Sequence, residues 1–196
     1  MAERWDELAS GLTDAGWWWC PGFLPPTEAQ ALRAELLAQR HLMIPAAIGR
    51  GNGRQLDPAE RGDLTRWLDG SAPAQQRFLA RMETLRLALN QRLQLGLFDY
   101  EAHYACYPTG AGYRRHYDAF RGRASRVLST AFYLNEDWLT ADGGELVLWN
   151  ESGGELARLL PGLGDAVFFL SERFPHAVLP AMRERYSIAG WFHHRR

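Results

Sequence analysis

The sequence predicts an α+β domain in which helices come first and support one sheet of a β-sandwich or jelly-roll barrel. Up to about residue 97, apolar residues recur at helical spacing. After Phe98 the pattern changes to short β segments separated by turn signals such as PTGAG and PGLGD. Helices followed by a run of strands are typical of this fold class. A length of 196 residues fits a single domain over 1–196.

The first part of the chain, residues 1–97, is predicted to be helical support. Thr27 followed by Gln30 forms the pattern of a capping box, so a helix is expected to begin there. Apolar residues at helical spacing predict a longer helix further on. The elements expected in this part are helices over 1–12, from 27 onwards and over 74–95, and a strand over 16–23 that is broken by Pro21.

A segment over about 41–70 separates the two longer helices and is predicted to be a flexible finger loop. Its run Gly-Arg-Gly-Asn-Gly-Arg ends at Arg54 and does not fit regular packing. Loops of this length in a compact domain are usually functional lids or disordered segments. We therefore expect this loop to close over a binding site.

The second part, residues 98–196, is predicted to be a β core. Even spacing of short strands and turns is typical of a sandwich or jelly roll. The expected strands lie near 99–107, 113–118, 126–134, 144–150, 154–160, 164–170, 175–179 and 184–192.

The composition limits the partners. A net charge of −1 and a pI near 6.6 provide no global field for nucleic acid, which is therefore an unlikely partner. The apolar runs have the length of strands, well below the roughly 20 residues of a membrane span, and the N-terminal stretch lacks the apolar region of a signal peptide. We expect a cytoplasmic protein whose two cysteines are reduced, buried thiols.

His116 and Asp118 are the first candidate metal ligands. Residues two apart in a strand face the same side, so the imidazole and the carboxylate can share one ion. His176 is the candidate for a third ligand, and two histidines with one carboxylate suit Fe(II) that reacts with oxygen. His-x-Asp is a short pattern that also occurs in solvated strands, and other histidines compete for the third position: His41, His103, His193 and His194. Of these, His193 and His194 lie at the tail and are expected to be exposed.

The last strand carries a candidate anion site. Arg185, Ser187, Ala189 and Trp191 alternate onto one face, and a guanidinium there can bind a carboxylate with two hydrogen bonds. If Arg185 faces water instead, it does not indicate an anion site. Tyr133 could add a hydroxyl and Tyr107 could lie near the metal, although each tyrosine taken alone is more often a core aromatic.

Five segments together resemble the prolyl hydroxylases of the 2-oxoglutarate oxygenase superfamily, in particular the animal oxygen-sensing enzymes and their bacterial relatives. They are ACYPTGAGYRRHYD, FYLNEDW, GGELVLW, GDAVFFLSERFPHAVLPA and RYSIAGWF, in the order of that family. The stretch RGDLTRWLDG resembles the finger loop that precedes the catalytic part in the family. Ala189 departs from the pattern, because the animal relatives carry a hydroxyl residue there.

The resemblance implies a double-stranded β-helix that binds Fe(II), 2-oxoglutarate and molecular oxygen. It implies that His116, Asp118 and His176 hold the iron. Arg185 would bind the distal carboxylate of 2-oxoglutarate with help from Tyr133. Tyr107 would lie beside the co-substrate.

The resemblance also implies a protein substrate with an exposed prolyl loop, and bacterial relatives of this type point to elongation factor Tu. Three alternatives stay open at this point. The first is the same chemistry on a free amino acid or another small molecule. The second is a nucleic-acid demethylase, which would need a basic groove. The third is a non-catalytic metal-binding module.

Overall fold

A computed structural model of the chain describes residues 2–48, 55–119 and 125–195, which form three α-helices and eleven strands. The helices are α1 (Ala2–Asp14), α2 (Pro26–Ala38) and α3 (Pro73–Leu93). The strands are β1 (Trp17–Cys20), β2 (Ile44–Pro45), β3 (Leu64–Trp67), β4 (Asp99–Tyr107), β5 (Tyr113–His116), β6 (Arg126–Tyr133), β7 (Leu146–Trp149), β8 (Glu155–Leu159), β9 (Ala166–Leu170), β10 (His176–Val178) and β11 (Arg185–His193).

The strands form two facing sheets. The larger sheet has the order β1-β9-β6-β11-β4-β3-β2, and the smaller sheet has the order β5-β10-β7-β8. Neighbouring strands pair in antiparallel fashion throughout the described sheets. This is the double-stranded β-helix that the family resemblance predicts.

The larger sheet has an apolar core on each face. Phe168 packs with the helices, and its neighbours Val167 and Phe169 point into the space between the sheets, as the two-residue period of a strand requires. On the helical face, Phe78 of α3 meets Phe132 of β6 edge to face, with ring centroids 5.0 Å apart. The N-terminal helices therefore cover one sheet face, as predicted, and the other face is left for the site.

The strands after Phe98 lie within two residues of the predicted bounds. β4 occupies 99–107, and the glycine-rich separators fall between strands. Three strands of the larger sheet come from the first 97 residues. Two of them, β2 and β3, lie inside the predicted finger segment and pair with each other as a short antiparallel hairpin. β3 also pairs with β4 over four residues, which joins the hairpin to the larger sheet, with β2 at its edge. Residues 49–54, the glycine-rich part, lie outside the described residues.

The predicted capping box at Thr27 is wrong. α2 begins one residue earlier, at Pro26, with Pro25 as its N-cap and no side-chain cap. A proline at the first helical position has no N–H to satisfy and already holds the helical φ angle. Thr27 is therefore inside the first turn rather than at its start.

The described residues include both cysteines and the three helices. Cys20 and Cys106 are both buried free thiols, as predicted. No helix in the described part of the chain combines the length and the apolarity that a bilayer crossing requires.

Candidate metal and co-substrate site

Two histidines face each other across the smaller sheet. His116 is the last residue of β5, and its partner in the antiparallel register is His176, the first residue of β10. Their ring centroids lie 4.3 Å apart. The pairing of two distant strands thus places both imidazoles at one end of the sheet.

Asp118 lies two residues beyond the end of β5 and is close to both rings. Its Oδ1 is 3.7 Å from His116 Nε2, and its Oδ2 is 3.5 Å from His176 Nε2. One donor atom from each of the three residues lies within 4.8 Å of the other two, so the group could hold a metal ion. Two neutral nitrogens and one carboxylate oxygen are the donor set that suits Fe(II) in oxygenases.

Neighbouring groups fix the orientation of these donors. The Nδ1–H of His116 donates to the Arg114 carbonyl at 2.7 Å, which leaves its Nε2 as the free lone pair. The same arrangement holds for His176, whose Nδ1 lies 3.2 Å from the Phe174 carbonyl. The Ser129 hydroxyl donates to Asp118 Oδ2 at 2.7 Å.

The protonation states also suit a cation. Burial lowers the pKa of His176 to about 4, so the ring is neutral near pH 7. Burial acts to raise the pKa of Asp118, but the neighbouring His176 and His116 outweigh it and hold this pKa below its usual range. An ionised Asp118 carboxylate beside the neutral His176 ring suits the binding of a metal cation.

Arg185 begins β11 and supplies the buried positive charge of the site. Its side chain is 1% exposed, its Nε donates to the Gly144 carbonyl at 2.8 Å, and its Nη1 donates to Ser187 Oγ at 3.2 Å. No carboxylate among the described residues forms an ion pair with it. A buried guanidinium without a counter-ion predicts an anionic ligand.

Gly144 is required at its position. Its φ is +72°, and an added Cβ would lie 2.9 Å from the Cβ of Ala181 and 3.3 Å from the Cδ of Arg185. Glycine adopts this conformation without strain. The turn can therefore bring its carbonyl against the arginine and hold the guanidinium in place.

Two tyrosines flank the guanidinium. The rings of Tyr107 and Tyr133 each lie 5.2 Å from the Arg185 Cζ. The Tyr133 hydroxyl is buried and has no hydrogen-bond partner among the described residues. Burial raises the pKa of Tyr133, so the hydroxyl keeps its proton. An unpaired donor beside an unpaired cation fits one end of a dicarboxylate.

One cavity of about 650 Å³ is lined by the three clustered donors, by Arg185 and by Tyr107, whereas Tyr133 lies behind its wall. This volume is in the usual range for a small-molecule site. Arg185, Ser187, Ala189 and Trp191 all line it, as the alternation along β11 predicts. The residues present therefore fit both a metal ion and a short dicarboxylate.

The competing histidines lie in different places. His41 and His194 are exposed, whereas His193, which we expected to be exposed, is buried with its Nε2 3.0 Å from Glu101. That expectation is wrong because β11 continues to residue 193 instead of ending before it. His103 lines the cavity.

The sequence reasoning missed two contributors to the metal cluster. The phenol ring of Tyr113 stacks on His116 with centroids 3.6 Å apart, and Ser129 donates to Asp118. Ser129 could have been found, because it alternates with Tyr133 on the same strand face. Tyr113 had no comparable signal, because residues three apart in a regular strand face opposite sides, and the register of the β5–β10 pairing is irregular between Tyr113 and His116.

Comparison with known proteins gives a consistent result. Residues 102–193 match the model of the 2OG-Fe(II) oxygenase superfamily. Human Egl nine homolog 1 is 34% identical over 142 residues, which cover 67% of this chain but 33% of the human protein. The chain thus spans about one third of the length of that relative.

Solved structures match over nearly the whole chain. A Pseudomonas putida prolyl-4-hydroxylase is 42% identical, with a TM-score of 0.88 and coverage of 98% of this chain and 100% of that one. A Trichoplax adhaerens prolyl hydroxylase, solved with a hypoxia inducible factor peptide fragment, is 25% identical with a TM-score of 0.84, over 98% of this chain and 90% of that one. On this evidence the chain belongs to the prolyl hydroxylase family of the 2OG-Fe(II) oxygenase superfamily.

Proposed function

We propose that this chain is an Fe(II)- and 2-oxoglutarate-dependent dioxygenase that hydroxylates a prolyl residue in a protein substrate. The observation that carries the proposal is one cavity with a two-histidine, one-carboxylate cluster near a buried arginine that has no counter-ion. The similarity to proteins named prolyl hydroxylases supports the choice of reaction.

In this proposal His116, Asp118 and His176 hold the iron, which activates molecular oxygen when it is bound together with 2-oxoglutarate. The orientation of the three donors comes from the protein. The carbonyls that accept from both Nδ1 atoms select the tautomer in which each Nε2 offers its lone pair to the metal, and Ser129 donates a hydrogen bond that orients the carboxylate.

Arg185 and Tyr133 bind the distal carboxylate of the co-substrate. The guanidinium is already held by the Gly144 carbonyl and flanked by two rings, so little side-chain entropy is lost on binding. Tyr107, whose pKa burial raises, presents a protonated phenol on the same wall. The closed arrangement excludes water from this end of the cavity.

A protein substrate with an exposed prolyl loop fits the opposite, open side. Ile44 on the edge strand β2 and Trp67 on the neighbouring β3 are 58% and 52% exposed, and Trp67 lines the cavity. Elongation factor Tu is our candidate partner, which implies a cytoplasmic location, and we expect neither a membrane nor a nucleic acid as partner.

The test is succinate formation by the Fe(II)-loaded protein with 2-oxoglutarate, with and without a peptide that spans the prolyl switch loop of elongation factor Tu. We expect the peptide to stimulate turnover and to gain the mass of one oxygen atom. A gain of oxygen on free proline, with none on the peptide or on intact elongation factor Tu, would replace the protein substrate by a small molecule. Absence of succinate under all conditions would refute the dioxygenase.

A further inference from the structure

One buried histidine in the cavity wall has no role in the chemistry described above. His103 of β4 is 4% exposed and lines the same cavity as the metal cluster. In the sheet register it lies opposite Ala189 on one side and opposite Trp67 on the other. Its ring is 5.2 Å from Trp67, edge to face, and 5.5 Å from the ring of Trp191.

The hydrogen bonding of His103 shows which ring nitrogen is the donor and which is the acceptor. Its Nδ1 is 3.0 Å from the Tyr104 carbonyl, and because a carbonyl only accepts, Nδ1 carries the hydrogen. Nε2 is then a lone-pair acceptor in the neutral ring, and the described residues offer it no hydrogen-bond partner. Burial lowers the pKa of His103 to about 4, with Arg61 acting in the same direction, so the ring stays neutral near pH 7. His103 lines the cavity, so a ligand that displaces water from this side of the ring leaves the acceptor unsatisfied unless the ligand itself supplies a donor.

The position of His103 along the strand indicates which ligand this is. Arg185 pairs with Tyr107, four residues further along β4, which places the arginine end about 13 Å away. A five-carbon dicarboxylate held by Arg185 is too short to reach His103. Trp67, which is half exposed, lies directly beside it on β3. His103 therefore faces the part of the cavity that a substrate enters.

We propose that His103 Nε2 accepts a hydrogen bond from a backbone N–H of the peptide substrate, in a residue that flanks the target proline. The inference rests on the proposed function, because its ligand is the substrate of that reaction. A prolyl nitrogen within a peptide carries no hydrogen, so the donor must belong to a neighbouring residue. His103 would thus be a binding residue that recognises the peptide backbone.

The experiment compares His103→Leu, which removes the acceptor, with His103→Gln, which keeps an acceptor oxygen. Both are assayed with the prolyl peptide of the succinate test and with two copies of it, each N-methylated at one residue that flanks the proline. We expect His103→Leu to lower kcat/KM for the unmodified peptide about 10-fold and His103→Gln to stay within about 3-fold of the wild type. N-methylation at one of the two positions should lower the wild-type value by a similar factor and cause no further loss in His103→Leu.

Calorimetry of Mn(II) and 2-oxoglutarate binding shows whether a His103 variant has lost only peptide recognition or the structure of the whole site. A parallel fall of both affinities in His103→Leu would overturn the inference and assign the residue to packing. Equal kcat/KM for the two variants, or no effect of either N-methyl group on the wild type, would also overturn it. If the wild type fails to turn over any peptide, the proposed protein substrate falls and this inference falls with it.

Discussion

Replacing Arg185 by alanine removes a buried guanidinium from the cavity wall, whereas Arg61 and Arg126 in the same wall are paired with Asp63 and Glu101. The Arg185 side chain is 1% exposed, and its two hydrogen bonds are to a carbonyl and a hydroxyl, at 2.8 and 3.2 Å. Neither contact neutralises the guanidinium. A bound carboxylate would therefore provide its counter-ion, and we expect the affinity for 2-oxoglutarate to depend on it.

The magnitude follows from the burial of the pair. Truncating one partner of a buried, hydrogen-bonded charge pair costs about 2–5 kcal/mol, which corresponds to a Kd raised about 30- to 5,000-fold. Tyr133→Phe removes one hydrogen bond to a charged group and should cost less, about 0.5–3 kcal/mol. Arg185→Lys keeps the charge but loses the planar fork, so we expect an intermediate Kd.

The assay is a thermal shift with Mn(II) in place of iron and 2-oxoglutarate at 100 times the wild-type Kd. Such an excess stabilises the wild type by about 2.7 kcal/mol, or about 5–11 °C in Tm for a chain of this size. In Arg185→Ala the same concentration should stabilise by less than about 1 kcal/mol. Mn(II) affinity should be preserved, because Arg185 is not among the clustered donors.

Two results would refute this reasoning. A larger loss of 2-oxoglutarate affinity in Tyr133→Phe than in Arg185→Ala would show that the hydroxyl is the anchor. Loss of Mn(II) affinity together with 2-oxoglutarate affinity would show that Arg185 acts through the fold of the metal cluster instead of through a carboxylate.

Alanine in place of His116, Asp118 or His176 should abolish both Mn(II) binding and succinate formation, while the circular dichroism spectrum stays that of the folded chain. Undiminished turnover of the His176 variant would contradict the ligand set. Ser129→Ala removes the 2.7 Å hydrogen bond to Asp118 and should weaken Mn(II) binding, measured by calorimetry, about 10- to 100-fold. An unchanged Mn(II) affinity would show that the carboxylate does not need this hydrogen bond. The free energy of unfolding should fall as the pH falls from about 6.5 to about 4, because the unfolded chain takes up a proton in this window that buried His103 does not. From pH 7 to pH 4.5 this one group accounts for a fall of about 2 kcal/mol in the free energy of unfolding. Urea unfolding of the metal-free His103→Gln variant should therefore show a smaller pH dependence than that of the wild type. An equal pH dependence in the two proteins would contradict the assignment.

Patterns among residues that are close in sequence were sufficient to predict much of this fold. The two-residue alternation along β11 predicted that Arg185, Ser187, Ala189 and Trp191 share a face, and all four line the cavity. Turn signals between short apolar runs located the strands after Phe98 within two residues. Both patterns depend on neighbours in sequence, which is why the sequence by itself carries them.

Contacts between distant segments were decided by the tertiary structure. His176 was one histidine among several until the β5–β10 pairing placed it opposite His116. The unpaired hydroxyl of Tyr133 and the free Nε2 of His103 became visible only when their surroundings were complete, because burial and hydrogen bonding are properties of the packed chain. The sequence determined which side chains each strand presents to the cavity; the pairing of the strands determined which of them meet, since register across a sheet is set by long-range packing.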